Sequence, residues 1–194
     1  MKRLRSPLSL EDVRSLSLGD MVYLDGMVVT GRDKLHMRAL RNLDQGLPVP
    51  EALRNATIFH CGPIMRPDGD GWEPLALGPT TSARMDALEP EMIRAFGLRA
   101  IIGKGGMSKE TLQAMQETGC VYLAATGGAA VSLSEGIKEV KGREWEDLGM
   151  AESMWVLEAE RFGPFIVAMD AHGNSLYDQV KERVAENMRR LEGN

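Results

Sequence analysis

One layered α/β domain, residues 1–194, is the fold class that the sequence predicts. Three observations carry this. Short apolar runs of strand character alternate with segments that have helical caps and stops. The strand-like runs crowd the first half of the chain. The composition, 43% hydrophobic and 26% charged, is that of a globular protein. A chain of this length buries roughly 70% of its unfolded surface and needs no staples.

Each element has a local signal. Ser9 caps a short helix over 10–16. The runs 21–24 and 27–30 flank Asp25-Gly26, which predicts a β-hairpin because Asp-Gly tolerates the positive φ of a tight turn. Residues 33–43 read as a helix. Residues 57–61 and 72–77 read as strands, with Asp68-Gly-Asp-Gly71 turning between them. Pro90 suits the first turn of a helix that ends at Phe96 and is stopped by Gly97. Residues 100–102 form a buried strand. Ser108 caps a helix over 109–118, which Gly119 terminates. The apolar strand 121–124 leads through Thr126-Gly-Gly128 into a short helix. Residues 154–162 have mixed period and read as strand, and 165–168 as another. Residues 176–191 are amphipathic, with Val180, Val184 and Met188 on one face. Residues 191–194 read as a frayed tail.

Several function classes are excluded. The net charge of −5 gives no broad attraction to nucleic acid or anionic lipid. The basic N-terminus lacks the apolar stretch of a secretory signal, and the longest uncharged run, 120–134, is too short for a membrane span. The expected location is the cytoplasm. Cys61 and Cys120 can neither build a disulfide scaffold nor complete a zinc or iron–sulfur site. His36, His60 and His172 show no metal-ligand spacing with them, so no metal is expected on this chain. His60 and Cys61 are adjacent in a strand and point to opposite faces. No Gly-x-Ser-x-Gly elbow is present.

Three glycine-bounded turns hold the candidate chemistry: Gly31-Arg32-Asp33, Gly78-Pro-Thr-Thr-Ser-Ala-Arg-Met-Asp86 and Gly103-Lys-Gly-Gly-Met107. Each sets a polar or cationic side chain beside backbone that a ligand can approach closely. Arg32 and Arg84 can each grip a carboxylate with two prongs, and Lys104 adds a point charge. His36 lies one helical turn after Arg32. Together these cations suit a small dicarboxylate. The third turn is neither a Walker A loop nor a dinucleotide fingerprint, since the required Gly and Lys-Ser/Thr spacings are missing. Thr81 and Ser82 read as helix caps.

These residues resemble a known family. Gly31-Arg-Asp-Lys-Leu-His36, His60-Cys-Gly-Pro-Ile64, the 78–86 segment, Gly103-Lys-Gly-Gly-Met107, Leu148-Gly-Met150 and Phe165-Ile-Val167 are similar in order and spacing to the β subunit of two-subunit class I fumarate hydratases. That subunit is equivalent to the C-terminal domain of the single-chain enzymes, and the L-tartrate dehydratase β subunit shares the pattern. The likeness runs from about residue 9 to 178. Ala83 and Leu35 stand where the family often has Gly and Ala. The resemblance implies the swivelling β/β/α three-layer fold and the reversible hydration of fumarate to (S)-malate. It also implies a [4Fe–4S] cluster bound by a cysteine-bearing α subunit and not by this chain, and hence a hetero-oligomer. By position it implies Thr80 as catalytic base and Arg32, Arg84 and Lys104 as substrate contacts. Asp33 would orient Arg32, with His36, Thr81, Gly103 and Gly105 in support. Tartrate dehydration to oxaloacetate and a non-catalytic dicarboxylate-binding module are the alternatives.

Overall fold

The computed structural model describes residues 1–192. Nine strands and six α-helices follow one another along these residues. In order they are β1 (Lys2–Ser6), α1 (Leu10–Arg14), β2 (Met21–Thr30), α2 (Asp33–Asp44), β3 (Thr57–Phe59), β4 (Ile64–Asp68), β5 (Gly71–Ala76), α3 (Glu89–Phe96), β6 (Ala100–Gly103), α4 (Lys109–Thr118), β7 (Val121–Ala124), α5 (Ala130–Ser134), β8 (Ile137–Glu144), β9 (Met154–Met169) and α6 (Leu176–Glu192). Short 3₁₀ turns lie at Glu51–Leu53, Ser82–Arg84 and Glu146–Leu148.

The main sheet runs β1-β2-β3-β6-β7-β9-β8, and β9 also pairs with β2, so the pairings close on themselves. Strands β2, β3, β6 and β7 are parallel, and β9 is antiparallel to β2 and β7. Side chains alternate between two cores, as the pleat requires. Phe59, Ile102, Leu123, Leu157 and Phe165 fill the space enclosed by the strands. Ile58, Ile101 and Tyr122 point the other way, against Leu35, Ile93 and Met115 of α2, α3 and α4. Each such aliphatic side chain contributes roughly 1.5–3 kcal/mol on full burial.

The chain is thus mixed α/β, with sheet and helix layers. The capping signals are realised: Ser9 closes a capping box with Asp12, Ser108 accepts from the Thr111 amide, and Gly97 and Gly119 end their helices in the left-handed region.

Several expectations are corrected. Asp25-Gly26 does not turn the chain, and 21–30 is one strand. Gly26 has φ +86°, and a Cβ there would lie 2.2 Å from the Ser6 carbonyl oxygen. The register against β9 shifts at the same point, so the dipeptide makes a bulge with β1 pressed against it. Residues 154–162 and 165–168 belong to one 16-residue strand. Strands β1, β4 and β8 had no sequence assignment. The 68–71 turn joins β4 to β5 and does not join β3 to β5. Helix α6 continues through Leu191 and Glu192, and the remainder of the predicted tail lies outside the described residues. Val180, Val184 and Met188 do lie on that helix, but they stay exposed. Among the described residues no helix is long and apolar enough to cross a membrane.

Candidate functional site

The parallel strands β2, β3 and β6 end side by side, and each is followed by one of the motif segments. Outside the carboxyl ends of parallel strands the chain diverges and leaves a crevice for a ligand. Here the 78–82 segment threads into that opening. The Thr80 amide donates to the His60 carbonyl at 2.6 Å, and the Thr80 carbonyl accepts the Lys104 amide at 3.2 Å. The Ser82 amide donates to the Lys104 carbonyl at 3.0 Å, and Thr81 and Lys104 are bridge partners. The Gly31 amide donates to the Phe59 carbonyl at 3.0 Å. All three sequence-predicted turns, with 60–62, therefore meet at one edge of the sheet.

A carboxylate holds Arg84, and another lies beside Arg32. Arg84 Nη2 lies 2.7 Å from Asp33 Oδ2, and Nε lies 3.3 Å from Oδ1. Arg32 Nε lies 3.3 Å from Glu152 Oε1. Glu152 also accepts the Lys34 amide at 3.0 Å, which fixes its carboxylate beside the start of α2. Asp33 thus orients Arg84 and not Arg32, contrary to expectation, because its place in the first turn of α2 aims it across at the 82–84 turn. The Arg32 guanidinium rests on Gly62: a Cβ built there would lie 2.2 Å from Nη1. Thr80 and Lys104 are half-buried, and Thr81 is exposed.

Thr81 precedes the 82–84 turn without a side-chain cap bond, and Ser82 does not cap but turns inward. Its Oγ lies 2.9 Å from His60 Nδ1 and accepts the Tyr122 hydroxyl at 2.9 Å. Gly103 makes room for this, since a Cβ there would lie 2.0 Å from Ser82 Oγ. Gly105 has φ +76°, which a side chain would strain.

Beneath the turns lies a fully buried triad. Glu89 Oε2 is 3.0 Å from His36 Nε2 and 3.1 Å from His60 Nε2, the latter off the line of a well-directed hydrogen bond. His36 Nδ1 donates to the Arg32 carbonyl at 2.8 Å. Burial pushes the Glu89 acid up, but the two imidazoles outweigh it and hold it down to about 2. Burial pushes His36 down, but Glu89 and the Arg32 carbonyl outweigh it, and the net direction is up. For His60 burial wins over Glu89, and its pKa falls. These directions favour charge on His36 and Glu89 and a neutral His60 ring.

Sequence spacing missed this group, which joins residues 36, 60 and 89 only through the fold; their ligating atoms lie within 4.8 Å of one another. Glu89, Ser82, Tyr122, Gly62 and Glu152 gave no usable signal as site residues, although Gly62 and Ser82 sit inside quoted motifs. The cysteines do not fit a cluster. Cys61 is buried among the strands and Cys120 in the helix-facing core, and burial pushes both thiols up. A buried neutral thiol is a poor iron ligand.

The chain is therefore an α/β domain with arginine, lysine and threonine gathered on hydrogen-bonded turns at the strand ends. The family model described as Fumarase C-terminus matches residues 2–180, and the chain belongs to that family. A protein of Methanocaldococcus jannaschii provisionally named L(+)-tartrate dehydratase subunit beta is 44% identical over 187 residues, covering 96% of each chain. The L(+)-tartrate dehydratase subunit beta of Escherichia coli K12 is 40% identical over 185 residues, 95% of this chain and 90% of that one. A Geobacillus stearothermophilus protein provisionally named fumarate hydratase class I is 41% identical over 186 residues, 95% of this chain and 35% of that longer one.

Proposed function

We propose that this chain is the β subunit of a heteromeric hydro-lyase that hydrates fumarate reversibly to (S)-malate, with an α subunit carrying the [4Fe–4S] cluster. The observation that carries this is the convergence of Arg32, Thr80, Arg84 and Lys104 on turns bonded to one another. Buried cysteines agree with a cluster held elsewhere. The two cores, one enclosed by strands and one facing helices, suit the swivelling β/β/α class. We place the assembly in the cytoplasm.

In this reading Arg32 and Arg84 bind the substrate carboxylates, exchanging part of their hold on Glu152 and Asp33 for the ligand. Two charge-assisted forks fix a four-carbon diacid in one orientation. Lys104 supplies positive charge where negative charge develops on the carboxylate beside the reacting carbon. Thr80 Oγ takes the proton from that carbon in dehydration and returns it in hydration. The C–O bond of the neighbouring carbon breaks in the same dehydration, and the partner's cluster would supply the Lewis acid that takes up the leaving hydroxide. A threonine hydroxyl is a weak base, so the neighbouring cations must favour its ionised form. The main-chain bonds from Thr80 to His60 and Lys104 hold it in register for that transfer.

Dehydration of L-tartrate to oxaloacetate is the second reading. It is favoured by the names of two relatives whose length this chain spans almost completely. Co-expression with a cysteine-bearing partner, followed by anaerobic assays on fumarate and on L-tartrate, tests both. The assembly is expected to turn over one of the two acids, and the isolated chain neither. Turnover by the isolated, cluster-free chain would overturn the division of labour. Tight dicarboxylate binding by the isolated chain, with no partner that confers turnover, would leave a binding module.

A further inference from the structure

We infer that His36, Glu89, His60 and Ser82 are positioning residues, a buried relay that locks the turn bearing Arg32 to the turn bearing Thr80. The inference rests on the roles given to Arg32 and Thr80 above. The relay members touch no solvent: His36, His60, Ser82 and Glu89 are all fully buried. Yet three of the four substrate-facing residues, Arg32, Thr80 and Lys104, each lie one main-chain hydrogen bond from a relay member. The Arg32 carbonyl accepts both the His36 amide at 3.0 Å and His36 Nδ1–H at 2.8 Å. The Thr80 amide is bound by the His60 carbonyl, and the Lys104 carbonyl by the Ser82 amide.

The donor order follows from the partners. Tyr122 donates to Ser82 Oγ. Ser82 then donates to His60 Nδ1, and His60 carries its proton on Nε2. The opposite tautomer would set a nitrogen lone pair against the Glu89 carboxylate at 3.1 Å. His36 Nδ1–H is used on the Arg32 carbonyl, and Nε2–H points at Glu89 from the other side. Charge is balanced inside the group, one imidazolium against one carboxylate. Glu89 is also the first residue of α3, where the helix dipole favours a carboxylate. Asp33 on α2, and Tyr122 and Cys120 on or beside β7, are the other titratable groups facing the relay. Burial keeps the phenol and the thiol neutral.

A buried ion pair is weak support for stability, because well-packed apolar groups do as well or better. Its distinctive effect here is geometric. It ties the starts of α2 and α3, the end of β3, the 82–84 turn and β7 at fixed distances, and so sets the clamp relative to the base. Misplacement of a base against a bound substrate lowers turnover more than affinity.

Two arms test this. In the full chain alone, ¹⁵N spectra of the histidine rings between about pH 6 and 7 are expected to have both His36 nitrogens protonated and His60 neutral with its proton on Nε2. Ser82→Ala is expected to speed hydrogen exchange of the Thr80 amide. In the assembly with its partner, Ser82→Ala and Glu89→Gln should each lower kcat about tenfold or more with KM changed less than about threefold, and Glu89→Asp should recover part of the loss. A neutral His36 ring, unchanged Thr80 exchange, wild-type kcat in a folded variant, or a metal ion bound stoichiometrically by the purified chain would each overturn the relay. Should Glu89→Gln not fold, Ser82→Ala and the wild-type ring states still decide. An assembly inert towards both acids would refute the hydro-lyase reading alone, since the first arm needs no turnover.

Discussion

The Arg84 guanidinium lies across the Asp33 carboxylate, Nη2 to Oδ2 at 2.7 Å and Nε to Oδ1 at 3.3 Å, joining turns 51 residues apart in the chain. The contact uses the planar fork, which lysine cannot reproduce. Arg84→Lys keeps the charge and loses the two-pronged geometry both to Asp33 and to a substrate carboxylate. Transition-state binding should weaken by about 1.5–3 kcal/mol, the scale of a charge-assisted hydrogen bond. The ratio of kcat/KM between wild-type and variant assemblies measures it. Equal values would remove Arg84 from the clamp.

Thr80 and Thr81 are neighbours with different surroundings. Thr80 is half-buried and bonded through its main chain to His60 and Lys104, whereas Thr81 is exposed. If Thr80 moves the proton, Thr80→Ala should lower kcat far more than it raises KM. Thr81→Ala should cost less than Thr80→Ala on both parameters. Steady-state kinetics of the two variants checks the assignment, and the reverse order would transfer the role to Thr81.

Gly62 is a seat for Arg32. A Cβ there would collide with Nη1 at 2.2 Å and crowd Cδ and Cζ at 3.2 Å, all on a flexible side chain. Gly62→Ala should therefore spare the fold and push the guanidinium aside. The expected result is an unchanged melting temperature with a raised KM for the diacid. Wild-type KM would mean that Arg32 does not need this place to bind substrate.

Local chemistry made much of this molecule legible. Ser108, Gly97 and Gly119 bound helices by capping rules that need only near neighbours, and the apolar runs at 100–102 and 121–124 mark strands buried on both faces. The cation-bearing turns were visible because glycine punctuates them. What was hidden depends on contacts distant in the chain. Asp25-Gly26 looks like a turn until β1 is seen to press its Ser6 carbonyl against Gly26. Strand β8, Ile137–Glu144, is an edge strand paired with β9, so its largely charged sequence carries only a sparse core pattern, Ile137 and Val140. Glu89 stands before Pro90 like any acidic first-turn residue, and only the fold brings it between two histidines.

That triad also sets the pH dependence of stability. Burial opposes the Glu89 charge, but its histidine partners hold the acid down to about 2 against an ordinary value of 4.5. Its contribution is therefore present above 4.5 and is lost as pH falls towards about 2. Burial and Glu89 pull His36 in opposite directions and the result lies above the ordinary 6.5, so its contribution is complete below 6.5 and is lost as pH rises through the higher folded value. Burial dominates His60, which stays neutral in the fold while the unfolded chain takes up a proton below 6.5. That uptake favours unfolding as pH drops. The three signs together place the triad's greatest contribution close to pH 6.5, with losses on both sides. Urea unfolding of the wild-type chain across the pH range should trace this maximum. Glu89→Gln removes the charge that raises His36, so the variant should lose the decline in stability above pH 6.5. A decline of equal depth above pH 6.5 in the variant would remove the Glu89–His36 pair as its cause.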